Sequence, residues 1–362
     1  MNGYLEWRMN KRRQRCREII NSYCADGALI SNIEDIRYFS GFTGSDAVII
    51  LLKEKGFFLT DSRYTTQAVE EISGLEIISY EKKAKGVLDL IIEKGLKRVI
   101  YDPRHMSMEL YMELQGGFLN IEWIPVKEPL WQLRIRKEPE EITLIEKAIS
   151  IATESFKEIL KDVKRGRKEK EIAWDLEVSL RTRGADQVSF DIIVASGARS
   201  ALPHGRATEK SLMEGEFVVI DYGCRYMGYH SDETCTIVIG RPDKKQEEVY
   251  RIVKEAHDRA IDSVRPGVEK KKIDSAARDT ISRAGYGKYF GHGTGHGIGL
   301  SVHEEPIISP NSEGIVEGGM VFTIEPGIYI PGWGGVRIED IVLVESNGAR
   351  VLTFMPKDMI IL

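Results

Sequence analysis

Two stretches of this chain repeat at a fixed offset of 101 residues. Val163-Lys164-Arg165-Gly166 matches Val264-Arg265-Pro266-Gly267, Ile172 matches Ile273, and Arg183-Gly184 stands opposite Ala284-Gly285. Each copy reads as a long helix, a glycine turn, a second helix and then strands. The first long helix opens at Pro139, where proline suits a first helical turn. Its stripe of Ile142, Ile145, Ile149, Ala152, Phe156, Ile159 and Val163 steps by three or four residues. Strand pairs follow at 216–223 and 229–240 in the first copy, and at 320–330 and 336–345 in the second. Two related halves imply a pseudo-twofold α+β domain with strands inside and helices outside.

Each half carries two acids on neighbouring strands: Asp221 and Asp232 in the first, Glu325 and Glu339 in the second. Asp221 and Glu325 end apolar runs, where a lone carboxylate is costly to bury. Four such acids on one strand system repel one another unless a cation neutralises them. A pair of divalent metal ions would do so. The segment Gly291-His292-Gly293-Thr294-Gly295-His296-Gly297-Ile298-Gly299 adds five glycines and two histidines four apart. Glycine lets the backbone approach a ligand closely. GxGxxG does not occur in it, which excludes a dinucleotide loop. His303-Glu304 lacks the second histidine of HExxH, since Ile307 stands there, which excludes a zincin site. One imidazole among carboxylates suits Mn²⁺, Co²⁺ or Fe²⁺ better than a thiolate zinc site. Cys224 and Cys235 read as small core residues, His257 as a structural residue in a helix, and His105 as a surface residue.

Residues 1–128 alternate strand and helix signals and read as a separate α/β domain without a catalytic constellation. Residues 129–138 read as a linker, and 139–362 as the second domain. The run Lys11-Arg12-Arg13 reads as a solvated basic helix face. No apolar core follows it, so a signal peptide is not expected, and no run approaches the roughly 20 residues that span a bilayer. With 51 basic and 56 acidic residues, the net charge is −5, which argues against nucleic acid as a partner. Four cysteines without a CxxC exclude a disulfide scaffold and fit a cytoplasmic protein.

Six motifs then occur in an order that resembles the pita-bread metallopeptidases: aminopeptidase P, prolidase, methionine aminopeptidase and the metal-free creatinase. They are Ile220-Asp221-Tyr222-Gly223, Ser231-Asp232, Gly295-His296-Gly297, Val302-His303-Glu304, Ile324-Glu325-Pro326-Gly327 and Gly335-Val336-Arg337-Ile338-Glu339-Asp340. Residues 36–44 and 60–64 resemble the Xaa-Pro branch, which has a leading creatinase-N-like domain. The resemblance implies that Asp221 binds one metal, that His296 and Glu325 bind mainly the other, and that Asp232 and Glu339 bridge both. It further implies that Glu325 relays a proton to the leaving nitrogen, and that His303 stabilises the oxyanion. His292 would hold the scissile region, His204 would line the substrate side, and Arg337 would hold a ligand carboxylate. No role transfers to His230. All five ligand types are present, unlike in creatinase.

The resemblance therefore implies a dinuclear peptidase, with Mn²⁺ as its metal and Co²⁺ able to serve in vitro. It would hydrolyse the N-terminal Xaa-Pro bond of a proline-containing peptide, as a homodimer. Many dipeptidases of the family carry an arginine where Ile307 follows Pro306, and many members carry an acid at Ser301. The first departure points to aminopeptidase P-like action on longer peptides, with prolidase as the alternative. A non-catalytic binding module would be expected to lose ligands, which this chain keeps. A phosphoesterase would need basic residues beside the acids, and Arg337 alone stands in the motifs.

Overall fold

The computed structural model describes residues 2–117, 120–126 and 129–362. The chain divides into two compact units, Met1–Arg134 and Ile135–Leu362. Lys127, a basic residue beside the expected linker, and the expected domain edge at 128 lie outside the described residues. Within the expected linker, a helix runs Pro129–Ile135. Its Leu130 and Arg134 are buried, and Arg134 Nη1 lies 2.7 Å from Asp35 Oδ1. The pairing of a buried cation with a buried anion is what allows a basic segment to pack as a helix.

The first unit is built on a six-stranded mixed sheet, in the order Glu76–Ser79, Gly56–Thr60, Val48–Leu52, Gly27–Ile30, Arg98–Tyr101, Glu122–Pro125. The apolar strand runs are buried throughout its centre, and the helix Lys83–Glu93 packs Val87, Leu88 and Ile91 against them. The basic run departs from expectation. Arg12 and Arg13 lie in the long helix Asn2–Ser22 and are each 1% exposed. Arg12 Nη1 donates to the Tyr38 carbonyl at 2.9 Å, and its guanidinium lies 3.9 Å from the centre of the Tyr38 ring. Arg13 donates to the Ser73 carbonyl. A weakly hydrated planar cation can be buried in this way where a lysine would resist it.

The second unit carries the repeat as a repeat of hydrogen bonds. Gly166 N donates to Leu212 O and Leu212 N to Arg167 O; Gly267 N donates to Val316 O and Val316 N to Val268 O. The helix pair Pro139–Ile159 and Glu169–Thr182 of the first half matches Lys244–Ser263 and Lys270–Arg283 of the second. Strands Ile193–Ser196, Phe217–Tyr222 and Glu233–Val238 are neighbours in one sheet; Gly295–Gly297, Val321–Ile324 and Asp340–Glu345 are their counterparts in the other. Ile172, Leu176 and Leu180 bury one helix face on the first of these sheets.

Three stretches expected as continuous strands are broken, and each break falls at an acid. The 229–240 stretch divides into Tyr229–His230 and Glu233–Val238, leaving Ser231-Asp232 between them. The 320–330 stretch divides at Glu325-Pro326, and the 336–345 stretch at Ile338-Glu339. Pro326 has no N–H for a ladder, so a sheet cannot run through it. The strands Gly327–Ile330 and Gly334–Arg337 accordingly pair with each other in a separate two-stranded sheet. His257 is buried, as expected of a structural residue. Its Nδ1 lies 3.1 Å from Asp258 Oδ1, and its Nε2 lies 3.0 Å from Asp340 Oδ2, a close ion contact rather than an aligned hydrogen bond. Burial disfavours the imidazolium, but Asp258 and Asp340 outweigh both burial and the nearby Lys357 and raise the His257 pKa.

Two predictions follow from this architecture. Gly166 and Gly267 hold φ near +89° and +87°, with open space where a Cβ would stand. Alanine at either position meets only the left-handed backbone penalty, about 1–2 kcal/mol. Urea unfolding of Gly166→Ala and Gly267→Ala should show similar losses of that size; an unchanged midpoint in either would contradict the shared geometry. A group whose pKa is raised by folding stabilises fully below its unfolded value, about 6.5 for histidine, and loses that contribution as pH rises through the folded value. The stability difference between wild type and His257→Gln should therefore be larger at pH 5.5 than at pH 9.

Candidate metal and active site

A cavity of about 430 Å³ opens in the second unit. All nine site residues expected from the sequence line it: His204, Asp221, Asp232, His292, His296, His303, Glu325, Arg337 and Glu339. Both halves of the repeat deliver their acids to this one wall. Asp221 stands in the strand Phe217–Tyr222, opposite Thr234 in the neighbouring strand. Thr234 Oγ1 donates to Glu339 Oε2 at 2.6 Å, and Glu339 N donates to Thr234 O. Thr234 thus ties the Glu339 carboxylate of the second half to the strand that pairs with that of Asp221.

Asp232, His296 and Glu339 each offer one ligand atom, all within 4.8 Å of one another. His296 Nε2 lies 3.4 Å from Glu325 Oε1 and 3.7 Å from Asp232 Oδ2. The tautomer follows from the backbone. His296 Nδ1 lies 3.1 Å from the Gly297 carbonyl, so Nδ1 carries the proton and Nε2 faces the acids with a lone pair. Arg337 Nη2 donates to Asp221 Oδ2 at 2.6 Å, whereas Asp221 Oδ1 is buried without a hydrogen-bond partner. A buried acceptor left unpaired among other carboxylates is the signature of a position that takes a cation. The residues present fit a divalent metal site.

The electrostatics agree. Burial, then Glu339, Asp221 and Glu325, push the Asp232 carboxyl far above its ordinary range. Burial, then Glu325 and Asp221, do the same to Glu339. Burial also raises Glu325, against the pull of His292 and Arg337. His296 and His292 are held low by burial, and His303 is held at about 4 by burial and by His296. Acids that cannot all ionise beside neutral imidazoles form a set that sheds protons when a cation enters.

A second chain of contacts was not legible in the sequence. Arg337 Nη1 donates to Tyr329 Oη at 3.0 Å, Tyr329 Oη lies 3.0 Å from His292 Nε2, and His292 Nδ1 lies 2.7 Å from Gly293 O. With Nδ1–H donating to the carbonyl, Nε2 accepts from the tyrosine. Tyr329 thus couples the arginine at Asp221 to the histidine at the cavity. Its only signal was that a buried tyrosine hydroxyl needs a partner. Thr323 was missed too: its Oγ1 accepts from His296 N and donates to Glu325 Oε1. His230 is buried away from the cavity lining, with Nδ1 3.1 Å from Ser189 Oγ. Cys224 and Cys235 are buried in the core, and His105 is exposed, as expected.

Comparison with known proteins places this geometry. The profile "Metallopeptidase family M24" matches residues 143–346, and the profile "Creatinase/Prolidase N-terminal domain" matches residues 12–136. An Xaa-Pro dipeptidase of Pyrococcus horikoshii is 39% identical, over 97% of this chain and 99% of its own length. The solved structure of an Xaa-Pro dipeptidase from Bacillus anthracis superposes with a TM-score of 0.94 at 40% identity, covering 98% of this chain and all of the other. The X-Pro aminopeptidase of Thermotoga maritima gives a TM-score of 0.90 at 38% identity, covering 97% of this chain and 99% of the other. The pita-bread fold expected from the motifs is thereby established, and the chain belongs to metallopeptidase family M24, as a peptidase with a creatinase/prolidase N-terminal domain.

Proposed function

We propose that this protein hydrolyses the N-terminal Xaa-Pro bond of short peptides, with two divalent metal ions held by Asp221, Asp232, His296, Glu325 and Glu339. The observation that carries the reading is the convergence of four carboxylates and the Nε2 of His296 on one cavity, with Asp221 Oδ1 unpaired. Mn²⁺ suits this hard donor set. When bound, such a pair supplies Lewis acidity toward the substrate carbonyl and toward an attacking water.

The side chains supply the rest. Glu325, raised by burial, takes the proton of the attacking water and returns it to the leaving nitrogen of proline, as a general base and then a general acid. His303 is neutral at pH 7 because its pKa is held at about 4 by burial and His296; its N–H donates to the developing oxyanion. Tyr329 fixes His292 at the scissile region, His204 flanks the substrate, and Arg337 orients Asp221. The reading includes a homodimer, which rests on the family resemblance, and a cytoplasmic location, which rests on four cysteines without a CxxC. No described helix is long and apolar enough to cross a membrane.

Two observations bear on peptide length. Ile307 lines the cavity where many dipeptidases of the family carry an arginine, which favours longer substrates. Arg206, however, also lines the cavity, and among the described residues its guanidinium pairs with Asp191, 3.4 Å away in an ion pair whose side chains are 84% and 79% exposed. An exposed pair of this kind contributes little and is readily exchanged for a substrate carboxylate. The other lining arginine, Arg337, is locked by Asp221, Tyr329, Thr234 and the Pro203 carbonyl. Arg206 therefore supports dipeptides, in keeping with the Xaa-Pro dipeptidase relatives, over the longer peptides expected from Ile307.

Chelator-stripped protein should be inactive, and Mn²⁺ should restore cleavage of an Xaa-Pro dipeptide but not of Xaa-Ala. Glu325→Gln should lower kcat by about 10²–10⁴. Preference for an Xaa-Pro-Xaa tripeptide would favour the reading from Ile307, and cleavage of neither proline peptide by metal-loaded protein would overturn the proposal. Arg206→Ala should raise KM for the dipeptide about tenfold, the worth of one charge-assisted hydrogen bond, and leave a carboxamide-capped substrate unchanged. Equal effects on both substrates would remove Arg206 from carboxylate recognition.

A further inference from the structure

Behind the cavity, a lysine from the C-terminal segment is buried between two acids. Lys357 has a side chain only 9% exposed; its Nζ lies 2.5 Å from Glu233 Oε1 and 3.1 Å from Asp340 Oδ1. Glu233 Oε2 also accepts from Tyr222 Oη at 3.0 Å. The sequence positions of these partners carry the argument. Tyr222, Glu233 and Asp340 each directly follow one of the proposed ligands: Asp221, Asp232 and Glu339. Successive side chains along extended backbone point to opposite faces. The three ligands line the cavity and the three neighbours are not among its lining residues; Glu233 and Asp340 meet at one ammonium group, and Tyr222 bonds Glu233.

The segment that carries Lys357 is itself tied to the same strands. Ile360 and Ile361 pair with Ile237 and Val238, Leu352 N donates to Ile341 O, and Thr353 Oγ1 donates to Asp340. Tyr250 Oη donates to the Lys357 carbonyl at 3.1 Å. His257 supports Asp340 from the helix Lys244–Ser263. Among the described residues that line the cavity, neither Lys357 nor Glu233 nor Asp340 appears.

We propose that Lys357 is a positioning residue for the metal site: by bridging Glu233 and Asp340 it locks the spacing of the backbone segments that carry Asp221, Asp232 and Glu339. The inference rests on the ligand set proposed above. Burial opposes the lysine's charge, but Glu233 and Asp340 keep it protonated. Without it, Glu233 and Asp340 would lose the cation they share, and the segments would move apart to hydrate the two buried acids.

The sign of the effect separates positioning from charge alone. A cation behind the site repels incoming metal, so a purely electrostatic role predicts that removing it tightens metal binding. Positioning predicts the reverse. Mn²⁺ titration by calorimetry of full-length Lys357→Met should show affinity at least tenfold weaker than wild type, within the range seen when groups orienting metal ligands are lost. Affinity equal to or tighter than wild type, with only a lowered Tm, would overturn the proposal. If Lys357→Met fails to fold, E233Q/D340N/K357M removes the buried charges together with the brace. That variant should fold and still bind Mn²⁺ at least tenfold more weakly, and wild-type affinity in it would equally overturn the proposal. Wild-type protein that takes up no Mn²⁺ would overturn the ligand set, and the brace with it, whereas loss of peptide hydrolysis with intact Mn²⁺ binding would touch only the substrate reading.

Discussion

Four carboxylates converge on one buried wall, and the fold has to hold them there against their own repulsion. Three devices oppose that repulsion within the chain. Thr234 donates to Glu339, Thr323 donates to Glu325, and Arg337 donates to Asp221. They do not remove it: Asp232 and Glu339 are still pushed far above their ordinary range, and Asp221 Oδ1 still lacks a partner. The structure is therefore built for added positive charge, and the metal chemistry of family M24 follows from the same tension. Histidine enters this setting neutral, with its Nδ1 proton committed to the backbone.

The pseudo-twofold repeat explains how one chain brings four acids together. Each half contributes a strand that ends toward the centre and an acid at the break of a second strand. Because the two sets are related, matching turns close with matching hydrogen bonds at Gly166 and Gly267. Glycine in the left-handed region is what permits both turns. Asp221 and His296 sit within strands, and Asp232, Glu325 and Glu339 sit directly beside strand ends, where small displacements of side chains are resisted by the cores behind them.

Much of this was legible in the sequence for a definite physical reason. A carboxylate at the end of an apolar strand is costly, so Asp221 and Glu325 stood out, and the repeat related them to each other. The glycine-histidine segment marked close backbone approach. What stayed hidden depends on partners remote in sequence. Lys357 meets Glu233 and Asp340 only after the sheet has formed, and Tyr329 joins Arg337 to His292 across a turn. The strand breaks at Asp232 and Glu339 carry no local mark, whereas Pro326 marks the break beside Glu325. The basic run misled because Arg12 and Arg13 find carbonyls and an aromatic face in the first unit, contacts that charge counting does not see.

The central claim is the ligand set, and anomalous diffraction from crystals grown with Mn²⁺ tests it most directly. The account predicts two peaks in the cavity, roughly 3.5–4 Å apart, with Asp221 at one, His296 at the other, and Asp232 and Glu339 between them. A single peak away from these residues, or none at saturating Mn²⁺, would contradict it.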